Sequence, residues 1–266
     1  MADNINEEHF GNPTNIQSEI RSSTIAPKYF KKYLFEGLMI FIAVSMGFIA
    51  ENIREYFVDI DQEQKYIEAL VSDIKSDTSN INKAIRNNTK REILLDSLLM
   101  TTNLDLAENA NAKQLIRFFM LAAYIPTHSP NSVTLTQLKN TGSFRLFNHR
   151  NGVADSILRY DRANQRITDH NGFYTNDINL TWEAFYPICD IKIFRDPSFA
   201  TWTESKRELT AKQVPSLNLS KEKLSIFTGH ITRQILINSV NRTILESQLL
   251  KGKTLINFLE KEYHLK

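Results

Sequence analysis

Hydrophobic residues form one unbroken block near the N-terminus, the stretch GLMIFIAVSMGFIA at residues 37–50. A helix of this length rises about 21 Å, which falls short of the roughly 30 Å hydrocarbon core of a bilayer. The wider segment from Tyr33 to Ile53 would rise about 31 Å, and its charged members lie near its ends, where a charge costs much less than at the centre of a span. The pattern predicts a transmembrane helix at residues 28–54. The alternative is the core helix of a soluble domain.

The charges on either side of this block predict its orientation. Acidic residues predominate after it, whereas the basic residues before it are Arg21, Lys28, Lys31 and Lys32. An excess of Lys and Arg marks the cytoplasmic side, and the absence of a small-residue cleavage site after the block favours a signal-anchor over a cleaved signal peptide. The sequence therefore predicts a single-pass protein with a cytoplasmic N-terminus and residues 55–266 outside the cytoplasm. In a bacterium with two membranes, this means the inner membrane, with residues 55–266 in the periplasm.

One face of the predicted span carries small and charged residues at helical spacing. Ala43 and Gly47 form a small-xxx-small pair, which lets a second helix approach closely. We expect a helix–helix interface here, with the glutamates paired to groups of the partner. The alternative is that the small residues occur by chance and the glutamates lie at the lipid headgroups. The residues of the predicted interface are Glu36, Ala43, Gly47, Glu51 and Arg54.

A heptad-like pattern extends the helix beyond the span. Mainly apolar positions alternate at spacings of 4 and 3 from Ile53 to Leu99, and neither Pro nor Gly interrupts residues 48–101. This predicts a long stalk helix continuous with the span. Two arrangements remain open, a coiled coil with a second copy or one helix of an intramolecular bundle. In the coiled coil, the register would be set by the polar positions Gln64, Thr78, Asn88 and Glu92.

Further helices are predicted at residues 110–125, 131–140, 153–186 and from 221 to the C-terminus. Gly142 and Pro187 are stop signals, and Ser220 is the predicted N-cap of the last helix. Gly252 is a possible interruption of that helix. The buried positions expected in the helix at 153–186 are Leu158, Ile167, Tyr174, Ile178, Trp182 and Phe185.

The remaining segments are predicted to be irregular. Residues 1–27 are polar and lack periodicity, which is typical of a disordered tail, here cytoplasmic. Residues 188–219 contain two prolines and one short β-like run at 190–194, and form an irregular insert. The fold class is therefore all-α: a transmembrane helix that continues into a long stalk helix and an antiparallel helical bundle.

Composition and motifs narrow the possible functions. The net charge of +2 provides no general electrostatic attraction for nucleic acid, and the single Cys189 cannot form an internal disulfide. The chain contains no Glu-x-x-His pair, phosphate-binding glycine loop or Gly-x-Ser-x-Gly elbow, and its histidines are far apart in sequence. His149 and His170 could approach each other, but each is expected to be solitary. We expect no catalytic residue, metal or cofactor, and no enzyme activity.

Three arginines recur on one face of the helix at 153–186, namely Arg159, Arg162 and Arg166. Such a row could bind an anion or a lipid headgroup. The alternative is a solvated face, because Asp155 and Asp169 stand at helical spacing for ion pairs with the first and last arginine.

Two stretches, EGLMIFIAVSMGFIAENI and LTQLKNTGSFRLFNHRNGVADSILRYD, resemble an uncharacterised family of short single-span membrane proteins in Bacteroidota. In that family a Glu lies near the start of the span and a Gln/Asn pair lies near its end. Glu36 and Asn52 match this pattern, and Glu51 replaces the first residue of the pair. The family has no assigned activity, so the resemblance implies only the topology and a helical extracytoplasmic domain.

These patterns lead to two hypotheses about function. The first is a membrane-anchored helical scaffold or accessory protein that acts by protein–protein interaction in the periplasm. The second is a ligand-sensing bundle that signals through a partner membrane protein. The expected partners are the lipid bilayer and a protein, or a second copy, bound through the span and stalk. A buried polar cluster would favour sensing or catalysis, and an apolar core with an exposed apolar patch would favour a scaffold.

Overall fold

The computed structural model describes residues 27–123, 127–190, 192, 194, 200–202, 207–209, 214 and 216–265. Apart from Pro27, the predicted disordered tail lies outside these residues. The chain has the predicted all-α fold and divides into two compact units that meet between Val58 and Asp59. Each unit is described by itself below.

The described residues form five α-helices: α1 Pro27–Thr101, α2 Asn109–Ala122, α3 Val133–Asn140, α4 Val153–Phe185 and α5 Lys221–Glu262. A 3-10 helix, Ser143–Phe147, follows α3. Within the insert, strand β1 (Ala200–Trp202) pairs antiparallel with strand β2 (Arg207–Leu209). The β-like run predicted at 190–194 is not a strand at its described residues, and the short β pairing lies later in the insert.

The first unit consists of the N-terminal part of α1, and its apolar side chains are exposed on all sides. Phe35 is 64% exposed, Met39 72% and Phe41 68%. By length and composition, α1 is the one helix among the described residues that could cross a membrane. α1 also continues through residue 101 without a break, so the prediction of one helix containing both the apolar block and the stalk is confirmed.

The second unit is an antiparallel bundle of four segments. The first segment is α1 from Asp59; the second comprises α2, α3 and the described residues between them; α4 and α5 are the third and fourth. The second segment descends along α1, because Ala122 contacts Arg91 and Asn131 contacts Asp77. α4 runs parallel to α1 and α5 runs antiparallel to it, as contacts between their side chains show. The order is therefore up-down-up-down.

The buried stripe of α1 differs from the predicted one in half of its positions. It comprises Glu63, Ile67, Leu70, Val71, Ile74, Asp77, Ile81, Ala84, Asn88, Arg91, Leu95 and Leu98. The predicted positions Thr78, Glu92 and Leu99 are only half-buried, because the residue before each of them faces the core. The prediction was wrong at these positions because it took apolar residues as buried, whereas the charged Asp77 and Arg91 are buried. This stripe packs within the chain, as one helix of an intramolecular bundle.

Most helix boundaries were predicted correctly from glycines and capping residues in the sequence. Gly142 and Gly152 have φ angles of +66° and +78°, and they separate α3, the 3-10 helix and α4 as predicted. The Ser220 hydroxyl accepts the backbone N–H of Lys223 at 3.2 Å, which confirms the predicted cap of α5. Within α4, the predicted positions Ile167, Tyr174, Ile178 and Phe185 are buried, whereas Leu158 and Trp182 are half-buried.

Gly252 does not interrupt α5 but allows another helix to approach it. A Cβ atom at this position would lie 2.9 Å from Cγ2 of Thr78 in α1 and 3.4 Å from a ring carbon of Tyr160 in α4. Gly229, in the same helix, is exposed and has nothing within 4 Å of its would-be Cβ. Packing therefore requires glycine at position 252 but not at position 229.

We expect Gly252→Ala to destabilise the bundle by about 1 kcal/mol, because the steric cost of overpacking exceeds the gain in helix propensity. Gly229→Ala is the matched control and should stabilise by about 0.5–1 kcal/mol. Thr78→Ser removes the clashing methyl group and should cancel the penalty of Gly252→Ala. Urea unfolding of the full chain, followed by tryptophan fluorescence, measures these differences. Equal stabilisation by both alanines would contradict the close approach.

Candidate functional site

Polar side chains occupy the middle of the bundle core, and Arg91 of α1 is at their centre. Its side chain is only 3% exposed. Nε donates to the carbonyl oxygen of Ala122 at 2.7 Å, Nη1 donates to the Tyr174 hydroxyl at 2.8 Å, and Nη2 donates to Oε1 of Gln234 at 2.6 Å. The guanidinium also lies over the ring of Tyr174, 5.1 Å from its centroid. Arg91 thereby contacts the other three segments of the bundle.

The charge of Arg91 is balanced through Gln234 rather than by direct contact with an acid. Nε2 of Gln234 donates to Oδ2 of Asp177 at 2.6 Å, and the other oxygen of Asp177 lies 2.5 Å from Nε of Arg233. Burial lowers the pKa of Arg91, but a guanidinium remains protonated at any physiological pH. The buried charges therefore form a chain that ends at Arg233, which is exposed.

Asparagines continue this polar layer between α1 and α5. Oδ1 of Asn238 accepts from the Tyr174 hydroxyl at 2.6 Å, and its Nδ2 donates to the backbone carbonyl of Asn88 at 3.0 Å. Asn241 donates to the Asn88 side chain at 3.1 Å. The void beside Arg91 measures about 10 Å³, which is room for one water molecule. These groups bond to one another, so the layer fixes the register of the helices and has no space for a larger ligand.

A second polar layer surrounds Asp77 of α1. Its Oδ1 accepts the backbone N–H of Asn131 at 2.8 Å and lies 3.9 Å from Nε2 of His128, while Oδ2 accepts the Tyr160 hydroxyl at 3.3 Å. Burial raises the pKa of Asp77 and lowers the pKa of His128, which favours the neutral imidazole. One turn earlier in α1, Asp73 accepts the backbone N–H of Thr134 in the first turn of α3. The two aspartates thus hold the second segment against α1.

A third polar layer surrounds Glu63, which is 2% exposed. Its carboxylate lies 3.2 Å from Nε of Arg150 and 3.3 Å from Nε2 of His149, and it accepts the hydroxyl of Tyr263. His170 instead stacks on Tyr174, so His149 and His170 have different partners. The Glu63 layer joins the first helix of the bundle to the last.

A groove of about 630 Å³ lies between the outer faces of α4 and α5. Its cationic residues are Arg159, Arg162 and Arg166 of α4 and Lys251 of α5, and none of the described residues that line it is acidic. The predicted ion pairs along α4 are not formed, because Arg159 donates to Ser156 and Asp169 accepts from Gln165. The arginines are exposed, as in the solvated-face alternative, but they line a concave surface.

Apolar side chains complete the groove. Leu255 is buried at its base, Phe258 is half-buried, and Leu250 is 67% exposed. Positive charge above an apolar base distinguishes this groove from a merely solvated helix face. It combines four cations with an apolar lining.

The residues of the predicted span interface are exposed on one face of the first unit. They are Glu36, Ala43, Gly47, Glu51 and Arg54. No second helix contacts this face among the described residues, so the interface stays a prediction. Glu51 and Arg54 form an ion pair with each other, at 2.5 and 2.9 Å, so the charge of Glu51 is matched within the helix. A Cβ atom at Gly47 would meet nothing within 4 Å, which leaves this face open to a second helix.

The sequence did not identify Arg91, Asp177 or Asp77 as buried, because charged residues are rarely buried unless they are paired. Their partners lie on other segments of the chain, as far as 147 positions away in the case of Arg91 and Asn238. A usable signal exists in α5, where buried positions alternate at spacings of 4 and 3. They are Phe227, Ile231, Gln234, Asn238, Asn241, Leu245, Gln248, Gly252, Leu255 and Leu259. Four amides in such a stripe indicate a polar layer in the core.

The described residues offer no group suited to metal or thiol chemistry. Among the described residues, no cluster of three or more His, Cys, Asp or Glu side chains could hold a metal ion. Cys189 is buried, and burial raises the pKa of its thiol to about 11, so the thiol is protonated at neutral pH.

Comparison of the chain with protein-family models, with curated proteins and with solved structures finds no match. The resemblance to a Bacteroidota family therefore stays a prediction.

We expect Arg91→Met to destabilise the bundle by about 3–5 kcal/mol, because it leaves the Asp177 charge chain and several buried acceptors without their donor. Arg86→Met is the matched control, since Arg86 is exposed on the same helix, and it should change stability by less than about 0.5 kcal/mol. Urea unfolding of the full chain measures both. A similarly small effect of both substitutions would show that the polar layer does not hold the bundle together.

Proposed function

We propose that this chain is a single-pass membrane protein whose helical bundle acts as a scaffold or accessory unit by binding another protein outside the cytoplasm. The observation that carries the proposal is the exposed apolar surface of α1 from Phe30 to Val58, where every side chain except that of Ser45 is exposed. A contiguous apolar surface of this size is unfavourable in water, and a bilayer would cover it on all sides.

The charges beside the apolar block support the proposed orientation. Lys31 and Lys32 precede the block, and acidic residues predominate after it. The positive-inside rule then places the N-terminus in the cytoplasm and the bundle in the periplasm of a bacterium with two membranes. The resemblance to single-span proteins of Bacteroidota agrees with this topology.

The open face of the span supports interaction with a partner. Ala43 and Gly47 allow a second helix to approach closely, either from another protein or from a second copy of this chain. The bundle itself is braced by three polar layers, which suits a rigid body that presents surfaces to a partner. The buried polar layer around Arg91 does not support the sensing hypothesis. Its groups are bonded to one another, and the void beside Arg91 has room for one water molecule.

A second candidate function is the ligand-sensing bundle, in which binding of a small molecule is passed to a partner membrane protein. The observation that favours it is the cationic groove between α4 and α5, which lies on the surface and has the volume of a small-molecule site. Its test is the detection of a bound ligand in that groove.

We expect protease added to spheroplasts to remove a C-terminal tag from the full chain, while carbonate extraction leaves the protein in the membrane fraction. The bundle would then be outside the cytoplasm and anchored by α1. A tag at the N-terminus is the control and should resist the protease until the cells are lysed. Appearance of the protein in the carbonate-soluble fraction, or protection of the C-terminal tag, would overturn the proposal.

The partner face of the span can be mapped with single cysteines in a Cys189→Ala background. A benzophenone attached to Gly47→Cys should crosslink in membranes to one product of defined larger mass, either a second copy or another protein. Ile49→Cys is the control, because it lies on the opposite side of the helix, and it should yield at most about one tenth as much of this product. Equal crosslinking from both positions would indicate random collision rather than an interface.

A further inference from the structure

We propose that the groove between α4 and α5 binds a single-chain anionic amphiphile, a molecule with one phosphate or carboxylate headgroup and one alkyl chain. This inference goes beyond the scaffold function, because it assigns a ligand to a surface that the partner interaction does not require. The cations, the apolar base and the packing beneath the groove support it independently.

The cations are available for a ligand. Within the described part of the chain, Arg162, Arg166 and Lys251 have no hydrogen-bond or ion-pair partner, and Arg159 has only the Ser156 hydroxyl at 3.0 Å. The arginines follow one another at spacings of three and four residues, so they share one face of α4. A guanidinium binds phosphate or carboxylate through two parallel hydrogen bonds. No carboxylate among the lining residues competes for them.

The apolar base selects for a ligand with an alkyl chain. Leu250, Leu255 and Phe258 lie on the α5 side of the groove, next to Lys251. A free inorganic anion would leave these side chains in water, and an uncharged lipid would leave the cations unmatched. An amphiphilic anion satisfies both parts of the surface. The volume of about 630 Å³ is within the range of small-molecule sites, which bind one molecule rather than the plane of a membrane.

The packing beneath the groove keeps its two walls in place. Gln248 of α5 donates to Oδ1 of Asn164 in α4 at 2.5 Å, and both residues are buried. Tyr160, which lines the groove, is held from below by its hydrogen bond to Asp77 at 3.3 Å. The site is therefore formed before a ligand arrives, which reduces the entropic cost of binding.

Photo-crosslinking tests the proposal on the full chain in phosphatidylcholine nanodiscs. The probe is dodecyl phosphate carrying a diazirine at the end of its chain, used below its critical micelle concentration. We expect labelled peptides to map to residues 156–166 and 250–258. Unmodified dodecyl phosphate should suppress this labelling, whereas inorganic phosphate and dodecyl maltoside at the same concentration should not. Labelling of the apolar helix at 30–58 reports partition of the probe into lipid and serves as the internal standard.

Substitutions distinguish the contribution of contacts with the anionic headgroup from that of contacts with the alkyl chain of the ligand. Arg162→Gln with Arg166→Gln should reduce groove labelling about tenfold relative to the internal standard, because two charge-assisted contacts are lost. Leu250→Gln should reduce it severalfold. Arg86→Gln with Arg117→Gln is the matched control, since both arginines are exposed on other helices, and it should leave labelling unchanged.

Three results would overturn the proposal. Competition by inorganic phosphate as strong as that by dodecyl phosphate would show a plain anion site, and equal competition by dodecyl maltoside would show apolar adsorption only. Absence of groove labelling would exclude the amphiphile and leave an acidic protein segment as the occupant to be tested.

Discussion

The guanidinium of Arg91 must find hydrogen-bond partners inside the bundle, because an unpaired buried cation costs several kcal/mol. Those partners come from all three other segments: the carbonyl of Ala122 in α2, the hydroxyl of Tyr174 in α4 and the amide of Gln234 in α5. Apolar side chains tolerate many relative positions of helices, whereas these hydrogen bonds are satisfied in only one. The Arg91 side chain therefore fixes the relative positions of all four segments at its level of the bundle.

The layers around Asp77 and Glu63 extend the same principle along α1. Each carboxylate is buried and accepts a tyrosine hydroxyl from another helix, Tyr160 in the first case and Tyr263 in the second. Two apolar clusters fill the space between the polar layers, and a third lies beyond Arg91, towards the end of α1. Interior polar groups are thus used for structure, and the proposed interactions rest on surfaces: the exposed apolar helix, its small-residue face and the cationic groove.

The fold was predictable from the sequence where local chemistry decides the structure. Helix limits at Gly142, Gly152 and Ser220 follow from backbone freedom and capping, and the exposed apolar block follows from composition alone. The buried stripe of α1 was only half correct, because Arg91 and Asp77 are buried solely by virtue of distant partners. The sequence showed the arginine row of α4 as a possible anion site, with a solvated face as the alternative, but it did not predict a groove. The second wall of the groove comes from the packing of α5 against α4, which helical periodicity does not encode.

The contact between Glu63 and Tyr263 joins residues that are 200 positions apart, and Asn88 meets Asn241 across 153 positions. On a ribosome, α1 is complete long before α5 is made, so Arg91 meets its partner Gln234 only when the fourth segment is present. Contacts this distant in sequence slow folding and leave apolar surface uncovered in the meantime. The four-segment core can therefore be completed only after α5 has been made.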